Sequence, residues 1–174
     1  LRFAIPLAPD AAQDLHWLLA GLGTVTLIYG AVGILAQSNL RVALAYASIC
    51  HVGLAVLGLA AFTASAVQGA VALLLSFSVA SGGAFLLLEF LRQRTGSTDL
   101  HSLGGAAQTM PLLASGFLIC GLAGVGMPGT SSFPGEFMLI LAALHSHAGA
   151  GMAALFGLAI AAGAFLALYR KAFF

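Results

Sequence analysis

Glu136 and His51 are the two residues of this 174-residue chain whose presence packing explains least. Glu136 follows the run Gly126-Met127-Pro128-Gly129-Thr130-Ser131-Ser132-Phe133-Pro134-Gly135 and is followed by Phe137, Met138, Leu139, Ile140 and Leu141. A carboxylate among such neighbours is costly, and ionisable groups at membrane depth usually face a bundle interior or a wet cavity and serve proton or ion movement. Burial favours the neutral form of a carboxyl and a nearby cation the charged form, so a modest change in surroundings makes such a group take up or release a proton. The alternative is a helix cap, an anion placed in the first turn of a resumed helix where the dipole favours it. A cap alone needs only Ser or Thr and no ionisation cost, which favours the proton role.

His51 lies near the centre of an apolar run, in Tyr46-Ala47-Ser48-Ile49-Cys50-His51-Val52-Gly53. Imidazole exchanges protons near neutral pH, which suits a relay. A neutral histidine bonded to a neighbouring helix for packing is the other reading. Ser76, Ser78 and Ser81 offer hydroxyls that hold water between titratable groups, although membrane-helix serines more often bond the carbonyl four residues back. Arg41 reads first as an interfacial anchor. Glu89, Arg92 and Arg94 fit i, i+3 pairing or snorkelling at a helix end. His145 and His147 sit at the opposite edge, as solvated loop histidines or as surface proton collectors with no third metal ligand nearby.

No enzyme constellation is present: neither a phosphate-binding loop, nor a dinucleotide fingerprint after a strand, nor a Ser/His/Asp set. Cys50 and Cys120 lack metal or disulfide spacing and read as packing residues. No metal and no cofactor is expected in this chain. With six Lys and Arg against five Asp and Glu there is no basic field to hold nucleic acid.

The elements that must position Glu136 and His51 follow from composition. Hydrophobic residues make up 61% and charged residues 6%, with mean hydropathy +1.07; soluble domains carry about 25% charged residues. Too little charge remains to wet a surface, while 22 glycines suit helices that approach closely in lipid. An all-α integral membrane protein in a lipid bilayer is expected, organised as one membrane domain over 1–174.

A hydrocarbon core of about 30 Å needs about 20 apolar residues per helix. Segments 16–36, 42–62, 66–91 and 149–169 meet that requirement. Segment 110–145 is too long for one straight span and too short for two with a turn. Gly126, Pro128, Gly129, Pro134 and Gly135 forbid a smooth helix through 126–135. One broken crossing is favoured by charge. It puts Arg41, Arg92, Arg94, Arg170 and Lys171 on one face and Arg2 alone on the other, and an excess of Lys and Arg marks the cytoplasmic side. Breaks of this kind line cavities, because unpaired backbone groups in lipid cost several kcal/mol each. The opening stub Leu1 to Leu7 reads as the tail of an earlier helix, so the chain is expected to be part of a longer protein.

Three stretches together resemble the antiporter-like membrane subunits of respiratory complex I, the NADH-quinone oxidoreductase. They are most similar to the M type, the bacterial counterpart of the fourth mitochondrial ND subunit. The stretches are Ala36 to Gly53, then Arg94-Thr95-Gly96-Ser97-Thr98-Asp99-Leu100 with Gly104-Gly105, and most specifically Gly126 to Phe137. The resemblance covers nearly the whole chain and implies the family's second inverted five-helix repeat, its ninth to thirteenth membrane helices, with one discontinuous helix. It implies a proton half-channel with Glu136 as proton acceptor and donor and His51 as relay. Partners would be other membrane-arm subunits, and the setting a bacterial plasma membrane or mitochondrial inner membrane. Redox chemistry would belong to those partners.

The sequence departs from the family at three places. A second family histidine falls at Phe77, the basic pair opening the tenth helix is reduced to Arg41-Val42, and the membrane lysines of the first repeat and eighth helix would lie before Leu1. Conduction through serine-bound water and a weakly conducting or purely structural paralogue are both compatible with these departures. Related subunits also occur in Mrp-type cation/proton antiporters, membrane-bound hydrogenases and inorganic-carbon accumulation complexes.

Overall fold

The computed structural model describes residues 13–174, so Arg2 and the stub Leu1 to Leu7 lie outside the described residues. Its helices are α1 (His16–Ala36), α2 (Leu40–Leu59), α3 (Ala64–Thr95), α4 (Ala106–Thr109), α5 (Pro111–Gly124), α6 (Phe133–Ser146) and α7 (Ala148–Phe173). Among the described residues there is no strand, only an isolated bridge between Asn39 and Asp99. Four helices, α1, α2, α3 and α7, are long and apolar enough to cross a membrane, and α5 and α6 are shorter apolar helices.

The expected spans correspond to these helices, with ends set by local chemistry. The second begins earlier than 42, because Asn39 caps α2: its side-chain oxygen accepts from the Arg41 backbone N–H at 3.0 Å. The third runs well past 91, to Thr95, where Gly96 at φ 82° closes α3 and its N–H donates to Arg92 O at 2.7 Å. With 32 residues α3 is about 48 Å long. That exceeds the hydrocarbon thickness and carries Arg92 and Arg94 beyond it.

Lipid offers no hydrophobic drive between helices, so close packing of small residues must hold the bundle. The α1–α2 crossing illustrates it. A Cβ at Gly23 would stand 2.5 Å from the Leu57 backbone nitrogen, and a Cβ at Gly53 2.5 Å from that of Leu27. The outer faces remain apolar: Leu22, Val25 and Val32 of α1 and Leu75, Val79 and Leu86 of α3 are exposed.

Two ends of the bundle can be told apart. At one, Leu40 N–H donates to Thr98 O at 3.1 Å, Leu100 N–H to Ser38 O at 2.8 Å, and the Tyr169 hydroxyl to Ala114 O at 3.2 Å. Arg41, Arg92, Arg94, Arg170 and Lys171 belong to the helix segments that meet here. At the other, the His16 and His147 rings face each other, and Ala61 and Thr63 share a pocket with His145. Chain segment α5 therefore starts at the basic end and α6 finishes at the histidine end. The two follow one another along the bundle, with residues 125–132 between them.

Candidate functional site

The interruption spans 125–132, between the end of α5 and the start of α6. Its backbone is satisfied largely by its own turns. Val125 N–H donates to Gly121 O (2.9 Å), Met127 N–H to Leu122 O (3.1 Å) and Thr130 N–H to Met127 O (3.0 Å). Gly126 and Gly129 take φ of 68° and 97°, a region that favours glycine, and Pro128 lies between them. Helix resumes at Phe133, before the end of the expected 126–135 break, so Pro134 and Gly135 belong to the first turn of α6 and not to the interruption. Proline is tolerated there because its missing N–H would have had no helical partner. Gly135 has a packing reason of its own: a Cβ would lie 2.6 Å from the Leu73 backbone nitrogen of α3.

That first turn carries Glu136, which is 5% exposed and points into the bundle. Its Oε1 lies 3.2 Å from Nε2 of His51, which is 2% exposed. The other imidazole nitrogen fixes the chemistry. His51 Nδ1 is 2.7 Å from Ala47 O, a carbonyl that can only accept, so Nδ1 carries a proton. Nε2 then either accepts from a protonated Glu136 or, itself protonated, donates to the carboxylate. One proton moving between the two atoms interconverts these states, and the pair stays neutral overall in both. A displaced unpaired charge in so buried a place would cost far more.

The pair is held from three sides. Phe77 of α3 stacks on the His51 ring with centroids 4.1 Å apart and planes 18° from parallel. Gly126 backs the carboxyl, and any side chain on its Cα would overlap Glu136. Cys50, fully buried and free, lies beside them in α2.

On the basic side of His51 lies an apolar cavity whose lining includes Phe77, Phe117, Phe165, Tyr169 and Ser81. It encloses about 50 Å³, and its walls are almost wholly apolar. Of the three candidate serines, Ser81 alone reaches this lining. Its hydroxyl donates to Ser78 O at 3.3 Å. Ser78 is exposed and donates to Leu74 O at 2.6 Å, and Ser76 is half-buried outside the lining.

Arg41 is exposed and stands apart from the pair. It donates to Glu89 at 2.8 Å and so links α2 to α3, while Glu89 also accepts from Arg92. The i, i+3 contact between Glu89 and Arg92 follows from their spacing, whereas the Arg41 contact joins residues 48 apart and has no local signal. Also unforeseen was Asn39, whose side chain accepts from Thr98 Oγ1 at 3.0 Å and ties α2 to the 96–105 loop. Its position ahead of a helical run was the available signal. Gly126 gave none beyond its membership of the break.

The chain is an all-helical membrane bundle with a carboxyl and an imidazole paired beside a helix interruption, a type of position where membrane proteins commonly place ion-path groups. The family described as NADH:quinone oxidoreductase/Mrp antiporter matches residues 1–161, and the chain belongs to that family. The NADH-quinone oxidoreductase subunit 13 of Thermus thermophilus is 41% identical over 174 residues, covering 99% of this chain and 37% of that protein. A structure of respiratory complex I from Thermus thermophilus with bound NADH superposes with a TM-score of 0.96 at 38% identity, covering 99% of this chain and 37% of the other. A chain of the Mrp complex from Dietzia sp. superposes at 0.88 and 25% identity, covering 94% and 31%. The chain thus spans about a third of the length of these relatives, and it is an integral membrane protein of the antiporter-like kind.

Proposed function

We propose that this chain is the proton-conducting repeat of an antiporter-like subunit in a redox-driven NADH:quinone oxidoreductase, with Glu136 as proton acceptor and donor and His51 as its relay. The observation that carries the reading is the buried 3.2 Å contact between His51 Nε2 and Glu136 Oε1. A proton placed there can sit on either of two facing, buried atoms. Ser81 and the cavity beside His51 would carry water toward the basic end, taken as cytoplasmic by the excess of Lys and Arg. Other membrane-arm subunits would flank the chain, and electron transfer would occur in partner subunits.

The test is His51→Gln in the assembled complex, which keeps a polar group of similar reach but removes a titratable one. Normal assembly with lowered proton-to-electron stoichiometry supports the relay, and unchanged stoichiometry limits His51 to packing.

A second reading is favoured by Phe77, whose ring covers the imidazole, and by the aromatic lining of the cavity. It is a structural paralogue that fills the membrane arm without conducting. Sodium-dependent antiport of the Mrp kind is distinguished by replacing sodium with potassium in the transport assay, which leaves a proton channel unchanged.

A further inference from the structure

At the end of the bundle remote from the basic residues, His16 opens α1 and His147 joins α6 to α7, and their ring centroids lie 5.2 Å apart with planes tilted by 40°. The hydrogen bonds of each ring define its tautomer. His16 Nδ1 is 2.7 Å from Gln13 O, which can only accept, so Nδ1 bears the proton and Nε2 the lone pair. His147 Nδ1 is 3.0 Å from the Ser146 hydroxyl, and that hydroxyl already gives its proton to Ala142 O at 2.9 Å. Ser146 therefore accepts from His147, and the second ring also keeps its lone pair on Nε2.

We propose that His16 and His147 bind a divalent transition-metal ion, of the zinc or copper class, through their Nε2 atoms. Two imidazoles on one tetrahedral zinc, at about 2.0–2.1 Å from metal to nitrogen, place their ring centroids about 5 Å apart. Imidazole is a favoured ligand for such ions. Metal-bound histidines characteristically donate the other ring N–H to a carbonyl or a similar acceptor, which orients the ring and fixes its tautomer. Both rings already have that arrangement. The remaining coordination positions go to water, since the two rings are exposed and half-exposed respectively. A bound ion would clip the first turn of α1 to the α6–α7 joint, at the edge opposite the Arg41 and Lys171 end. His145, exposed on the last turn of α6, takes no part.

The proposal is tested by titrating Cu²⁺ into the metal-stripped, oxidised parent complex and recording electron paramagnetic resonance. The expected result is a site with superhyperfine structure from two imidazole nitrogens, which His16→Gln and His147→Gln each abolish and His145→Gln leaves intact. Ser146→Ala keeps both ligands but removes the acceptor that orients His147, and is expected to weaken binding about 10- to 100-fold. A wild-type spectrum indistinguishable from that of His147→Gln overturns the proposal, as does a two-nitrogen signal that depends on His145 instead.

Discussion

Gly126 stands against the Glu136 carboxyl so closely that no side chain fits between them, and it does so with φ at 68°. The interruption of the helix and the placement of the acid are therefore one feature. The turn that ends α5 brings a bare backbone up to the carboxyl, and the turn that begins α6 aims that carboxyl at His51.

Gly126→Ala attacks both parts. The left-handed conformation costs a non-glycine residue about 1–2 kcal/mol, and the added methyl must displace Glu136 from His51. Lower thermal stability of the assembled complex is expected, together with reduced proton translocation, measured by unfolding in detergent and by pumping in proteoliposomes.

The α1–α2 crossing makes a controlled comparison. Gly23→Ala drives a methyl into the backbone around Leu57, whereas Gly21→Ala meets nothing within 4 Å. Gly23→Ala is expected to impair assembly. Gly21→Ala is expected to be neutral or to stabilise by up to about 1 kcal/mol from helix propensity. The amount of folded subunit recovered in purified complex separates the two.

Asn39→Ala removes a helix cap and the contact to Thr98 in one change. Loss of a cap of this kind costs about 0.5–2 kcal/mol. Faster protease cleavage within the 96–105 loop is the expected result, with proton translocation preserved.

Most of the architecture was legible in the sequence because membrane helices announce themselves by length and apolarity, and α1 was bounded as 16–36 on that basis alone. The break was legible from Pro128 and the flanking glycines. Its downstream limit was not, because Pro134 is destructive in mid-helix and harmless in a first turn, and sequence does not say which applies. Glu136 and His51 stood out singly, as costly groups in apolar runs. Their pairing across 85 residues depended on how α2 and α6 pack, which no local pattern encodes. The same limit hid the stacking of Phe77 on His51, the Arg41 to Glu89 bond, and the meeting of His16 with His147.

Proton translocation by complexes carrying Glu136→Gln decides whether the buried carboxyl carries protons. Glutamine keeps the size and hydrogen-bonding reach of the side chain and removes only its capacity to carry the proton. With assembly and electron transfer competence verified, a lowered number of protons moved per electron is expected. Normal assembly with an unchanged number would contradict it and leave the buried pair a structural contact.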